Sequence, residues 1–206
     1  MRISILTILV FTLFSSCQRK DTAIVNKKLH NGDLIFQTSQ SAQSQAIQLA
    51  TNSKYSHCGI IFEEDGNYFV FEAIQPIQKT LLADWITRGK DSHYVVKRLK
   101  DDKILTENNL KKMQAAGKAM AGKNYDLYFE WSDDRIYCSE LIWKIYKEGT
   151  GLEIGKLEEL KDFDLTNRAV KAKLKERYGN IIPEHEKVIS PAAIFNSELL
   201  KTVIQN

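Results

Sequence analysis

From about Gly32 onward, apolar residues along the chain recur with one of two periods. Asp33-Leu34-Ile35-Phe36-Gln37-Thr38 is a short apolar run that predicts a buried strand. Residues 41–50 place Ala42, Ala46, Ile47, Leu49 and Ala50 at helical spacing and predict a short helix. Residues 55–62 and 68–74 are β-rich and are joined by Glu63-Glu64-Asp65-Gly66-Asn67, in which Asp-Gly signals a tight hairpin. A short helix over 80–88 follows, with Leu81, Leu82, Trp85 and Ile86 on one face and Gly89 as its stop, and then a strand over 94–99. Thr106 is a candidate N-cap for a helix reaching about Gly122. Beyond a loop bearing Tyr125, Asp126 and residues 131–134, a second helix is predicted from Cys138 to Glu148, stopped by Gly149. The remainder is expected to be mostly helical and charged, with Ser190-Pro191 opening a last short helix. There is no internal repeat, and strands and helices fall into separate groups, so the predicted class is α+β.

The N-terminus has a different pattern. Met1-Arg2 is a basic start, residues 5–14 are apolar apart from Thr7 and Thr12, and Ser15-Ser16 precede Cys17. This predicts a signal peptide over residues 1–16, too short to span a bilayer comfortably. Leu13-Phe14-Ser15-Ser16-Cys17 resembles a bacterial lipobox, although Phe14 is bulkier than the usual residue there. The expectation is an exported lipoprotein, acylated at Cys17 and anchored to a membrane on the periplasmic or extracellular side. Residues 17–31 would then be a tether and residues 32–206 a single domain. A plain secretory signal is the alternative. The 206 residues are 43% hydrophobic and 27% charged with 3 Pro, a balance that excludes a disordered chain or a polytopic membrane protein. The net charge is only +3 and residues 156–187 mix both signs, so no nucleic-acid partner is expected.

With Cys17 lipidated, Cys58 and Cys138 remain, and in an oxidising compartment they could pair. Cys138 precedes Leu141 by three residues and Ile142 by four, so it shares their apolar stripe and faces the sheet. It also sits in the first turn of its helix, where free N–H groups and the helix dipole favour a thiolate, the nucleophilic form. A small buried hydrophobe is the other reading, and position alone leaves both open. If Asp65-Gly66 centres the turn, Glu64 opposes Asn67, His57 opposes Ile74 and Glu72 opposes Gly59. His57 and Glu72 then share one face with Val70, while Cys58, Ile60 and Phe71 take the other. An odd-length loop would separate them. An imidazole and a carboxylate among apolar residues need each other as partners. A carboxylate on Nδ1 would aim Nε2 at a nucleophile, as acyl transfer requires, and a purely structural His–Glu pair is the alternative. The same register points Cys58 away from the cleft and argues against a Cys58–Cys138 disulfide.

Gly32-Asp33-Leu34-Ile35-Phe36-Gln37, Tyr55-Ser56-His57-Cys58-Gly59-Ile60, Phe69-Val70-Phe71-Glu72-Ala73 and Tyr137-Cys138-Ser139-Glu140-Leu141 together resemble the permuted papain-like amidases of the YiiX/YebB type, in the NlpC superfamily. The resemblance runs from about Gly32 to Gly149. It implies a small antiparallel sheet or half-barrel packed on the cysteine helix, and a triad of Cys138, His57 and Glu72 cleaving an amide through a thioester. The substrate it implies is a peptide or other amide, cell-wall peptides included; no cofactor is expected, and no metal, because no close-spaced ligand pair such as His-x-x-x-His is present. Tyr137 is a candidate substrate or oxyanion contact beside the Cys138 N–H, or else a packing aromatic. Three rivals remain: an acyltransferase or lipid hydrolase on the same fold, a zinc site from Cys138, His57, Glu72 and His93, and a catalytically silent binding module.

Overall fold

A six-stranded antiparallel sheet organises residues 28–206, the part of the chain that this computed structural model describes. The predicted signal peptide, the predicted lipidation site Cys17 and most of the predicted tether lie outside the described residues. In chain order the elements are β1 (Leu34–Ser39), α1 (Ser44–Thr51), β2 (His57–Glu64), β3 (Asn67–Glu72), β4 (Gln78–Leu81), α2 (Leu82–Thr87), β5 (Gly89–Leu99), α3 (Glu107–Met120), β6 (Asn124–Tyr125), β7 (Arg135–Ile136), α4 (Cys138–Thr150), β8 (Glu158–Glu159), α5 (Arg168–Tyr178), β9 (Lys187–Val188), α6 (Pro191–Phe195) and β10 (Leu200–Gln205). The sheet runs β10-β5-β1-β2-β3-β4. The α+β class and the antiparallel sheet packed against helices are those expected.

The β2–β3 hairpin sets the geometry of everything that follows. Asp65 and Gly66 both have positive φ, 50° and 78°, as a two-residue type I′ turn demands, and glycine takes that conformation without steric cost. Glu64 therefore pairs with Asn67 and Ile60 with Phe71, the register read from the sequence. Alternation then divides the sheet into two apolar faces. One carries Phe36, Cys58, Ile60 and Phe71 and packs against Leu141, Ile142 and Ile145 of α4 and Met113 of α3. The other carries Ile35, Ile61, Val70 and Val96 and is covered by Leu82 and Trp85 of α2.

Helices α3 and α4 cross closely. A Cβ at Gly149 would lie 2.2 Å from Met113 Cγ and 3.0 Å from the Met113 backbone nitrogen. Gly149 is thus a packing glycine inside α4, and the stop falls to Gly151, in the left-handed region at φ 77°. A second anchor ties β1 to β5: the carboxylate of Asp33, fully buried, accepts from Arg98 Nε at 2.7 Å and from Arg98 Nη2 at 2.8 Å. The C-terminal third departs from expectation. α-Helix occupies only Arg168–Tyr178 and Pro191–Phe195, with a single 3-10 turn at Leu160–Asp162 and with Gly151, Gly155 and Gly179 at positive φ interrupting it. Its last strand, β10, extends the sheet beside β5, and β4 adds the opposite edge.

Candidate active site

β2 begins at His57 and β3 ends at Glu72, so the register puts an imidazole and a carboxylate on one face at the same end of the sheet. They meet: His57 Nε2 lies 2.6 Å from Glu72 Oε2. The nitrogen engaged is Nε2, not the Nδ1 expected from the sequence, which leaves Nδ1 free to face another group. Glu72 is completely buried. Its second oxygen accepts from Thr80 Oγ1 at 2.6 Å and from the Arg88 guanidinium, while Trp85 Nε1 donates to Oε2 at 2.9 Å. The Trp85 ring also stacks on the imidazole, with centroids 5.8 Å apart and planes 24° apart. Four donors around a buried carboxylate keep it ionised: burial pushes its pKa up, yet the His57 hydrogen bond and charge, then Thr80 and Arg88, bring it below the usual carboxylate value.

Cys138 enters from the other side of the sheet as the first residue of α4, buried with Leu141, Ile142 and Ile145. The helix start is fixed by Glu140, whose carboxylate accepts from the Tyr137 backbone N–H at 3.3 Å, and the sequence as read did not signal that role. His57 and Cys58 both lie close enough to the Cys138 thiol to govern its ionisation. Cys58 is therefore not remote from Cys138. It does face away from His57, but that is the face on which α4 packs, and both cysteines are free thiols.

This neighbourhood separates the two sulfurs electrostatically. Cys138 is held well below the ordinary thiol value, first by the Cys58 hydrogen bond and, against the cost of burial, by the hydrogen bond and charge of His57. Cys58 is pushed well above it by burial and by the negative charge of Cys138. Burial alone would lower the pKa of His57, but hydrogen bonds to Cys138 and Glu72 and their charges raise it to about 9. A thiolate beside an imidazolium is the consistent protonation state near neutrality.

Two depressions adjoin these residues. An apolar pocket bounded by Ala46, Ile47, Phe163, Leu165, Leu174 and Ile189 opens on the thiol. A wider polar cleft passes His57 and is edged by Gln37, Ser39, Gln40, Gln75 and Arg88. Gln43, Tyr125, Lys173 and Arg177 border both. Tyr137 contributes its ring to the apolar pocket, edge-on to Phe129 at 5.0 Å, while its hydroxyl accepts from the Ile189 N–H at 3.0 Å. His93 stands apart, with Nε2 3.2 Å from Lys54 Nζ. Thr80, Trp85, Arg88, Tyr125 and Arg177 had no functional mark in the sequence. Trp85 read only as part of an apolar helix face, and α5 read as a solvated surface.

A cysteine at the N-terminus of a helix, docked on a sheet whose earlier strands carry a histidine and its acidic partner, defines a papain-like hydrolase with its chain order permuted. The sequence profile described as "Permuted papain-like amidase enzyme, YaeF/YiiX, C92 family" matches residues 28–204, and the chain belongs to that family. It is an amidase- or peptidase-type enzyme of the permuted papain-like fold. It is 46% identical over 172 residues to the uncharacterized protein YiiX of Escherichia coli strain K12, covering 84% of each chain. A crystal structure described as metalloprotein yiiX from Escherichia coli O157:H7, DUF1105, superposes with a TM-score of 0.84 at 46% identity, over 87% of this chain and 98% of that one.

Proposed function

We propose that the enzyme cleaves amide bonds of peptide-type substrates with Cys138 as nucleophile, His57 as acid and base, and Glu72 as the group that orients His57. The observation that carries this reading is the 2.6 Å bond between His57 and Glu72, with the charge of His57 among the influences that hold the Cys138 thiol below its ordinary pKa. The Cys138 thiolate adds to the amide carbonyl carbon, forming a C–S bond, and the oxygen gains charge beside the Cys138 N–H at the helix start. As the C–N bond breaks, imidazolium His57 passes its proton to the leaving amine. Water then attacks the thioester while neutral His57 takes one of its protons. The C–S bond breaks, the acid product leaves and the thiolate returns. Glu72 keeps its proton-free form throughout and holds the ring in place.

A second reading rests on the apolar pocket against Cys138: a lipid amide or ester, or acyl transfer to an acceptor other than water, would use the same three residues. Incubating cell-envelope peptide and lipid fractions with wild type and with Cys138→Ala, followed by mass spectrometry, tests both. A new amine and acid from the peptide fraction, absent with Cys138→Ala, is the expected result. Products confined to the lipid fraction would replace the amidase reading with the second one, and no difference between the two proteins would overturn both.

The Escherichia coli relative is described as a metalloprotein. Among the described residues of this chain, no group of three or more His, Cys, Asp and Glu is arranged to hold a metal ion, so the residues do not fit a resident metal and no step runs through one. We further propose export and a lipid anchor at Cys17, on the strength of the apolar leader and the lipobox-like Leu13-Phe14-Ser15-Ser16-Cys17. Metabolic labelling with a fatty-acid analogue is expected to mark the wild type and not Cys17→Ser. Equal labelling of the two would remove the anchor.

A further inference from the structure

Three cationic side chains border the polar cleft beside His57: Arg88, Lys173 and Arg177. Two of them are already matched. Arg88 pairs with the buried Glu72 carboxylate, and Lys173 Nζ pairs with Glu176 at 2.6 Å. Arg177 is different. Its guanidinium stacks over the Phe129 ring at 4.7 Å, and Nη2 donates to the neutral Gln43 Oε1 at 2.5 Å. Among the described residues no carboxylate forms an ion pair with it. Burial without a counter-ion lowers its pKa, the response of a charge that lacks its anion.

The position of this charge is as informative as its lack of a partner. Arg177 borders both the apolar pocket that opens on Cys138 and the polar cleft that passes His57, so it stands where the two meet. Gln43 fixes one arm of the fork and Phe129 one face of the plane, and the arms left over are held ready rather than waving in solvent. Gln43 is itself held by the opposite end of its amide, which donates to Tyr125 Oη at 2.8 Å. A pre-set guanidinium of this kind recognises planar or tetrahedral oxyanions by charge-assisted hydrogen bonds.

We infer that Arg177 is a specificity-determining residue that binds a carboxylate or phosphate group on the substrate, close to the scissile amide. The inference rests on Cys138 being the nucleophile, and deepens that reading by naming the substrate class: amides bearing a negative charge near the bond that is cut. Arg177 touches the substrate's anion and not the reacting atoms.

A matched pair of alkylating reagents tests it without knowledge of the natural substrate. Iodoacetyl-glycine and iodoacetyl-glycinamide differ only in a terminal carboxylate, and with each the thiolate forms a C–S bond as iodide leaves. Rates of Cys138 modification are followed by mass spectrometry on the full-length protein, and the anionic-to-neutral rate ratio within each variant cancels any change in the thiolate itself. The wild-type ratio is expected to exceed that of Arg177→Gln by about tenfold, the scale of one charge-assisted contact, with Arg177→Lys in between. Iodoacetyl-aminomethylphosphonate distinguishes the two anions, because the reagent with the larger Arg177-dependent ratio marks the group recognised. Equal ratios in wild type and Arg177→Gln for both anionic reagents would overturn the inference and leave the nucleophile assignment standing. Failure of Cys138 to react with any of the three would instead overturn the nucleophile assignment and the inference with it.

Discussion

Alkylation of Cys138 by a neutral iodoacetamide at pH 6 is expected to slow by about two orders of magnitude when His57 is replaced by Ala. An ordinary thiol, with a pKa near 8.5, is only about 0.3% thiolate at pH 6, whereas a thiol paired with an imidazolium is largely ionised there. The structure attributes the low value of Cys138 to a Cys58 hydrogen bond and to His57, against the cost of burial. Removing His57 deletes the only one of these partners that carries positive charge, and burial then works unopposed by Coulomb attraction. In the wild type the rate is expected to be level through neutrality. Above about pH 9 the imidazolium loses its proton, and turnover, which needs that proton for the leaving amine, falls. A pH–rate profile of His57→Ala that overlays the wild type would show that the thiolate owes nothing to His57.

Arg98→Ala is expected to cost about 3–5 kcal/mol of folding stability, the range seen when one partner of a buried ion pair is removed. Asp33 is fully buried and its oxygens accept from Arg98 Nε and Nη2, leaving the His30 N–H at 2.9 Å as the remaining donor among the described residues. For a domain of this size that loss corresponds to a fall in Tm of about 10 °C. The same guanidinium donates to the Lys28 carbonyl at 2.7 Å, so the chain leading into β1 loosens as well. Urea unfolding measures the effect. The double replacement of Asp33 and Arg98 by Leu should recover part of the loss, because no charge is then stranded in the interior. A shift below about 1 kcal/mol for Arg98→Ala would mean that water reaches Asp33 and that the pair is not a structural anchor.

Much of the site could be read from the chain because it rests on local chemistry. Asp65-Gly66 fixes a two-residue turn, the turn fixes the register, and the register brings His57 and Glu72 together. Cys138 lies at the helix start predicted from its spacing to Leu141 and Ile142. What escaped depends on which elements pack on which face, and alternation along a strand does not carry that information. Cys58 points away from His57 and is a buried free thiol, as alternation implies, but its closeness to Cys138 escaped, because α4 occupies the side to which it points. The imidazole nitrogen that meets Glu72 depends on ring orientation, set in part by Trp85 stacking from α2. Arg177 and the apolar pocket come from the C-terminal third, whose mixed charges hide the few inward-facing residues Val170 and Leu174.

The dependence of Cys138 on Cys58 and His57 has a further meaning for the chain before it folds. The groups that sharpen the nucleophile belong to β2, far from Cys138 in sequence, and reach it only when α4 docks on the sheet. In an unfolded chain Cys58 and Cys138 are therefore unremarkable thiols, and neither is activated. Chemical latency is built into the order of assembly: the protein becomes reactive at the moment its core closes and loses that reactivity whenever the helix lifts away.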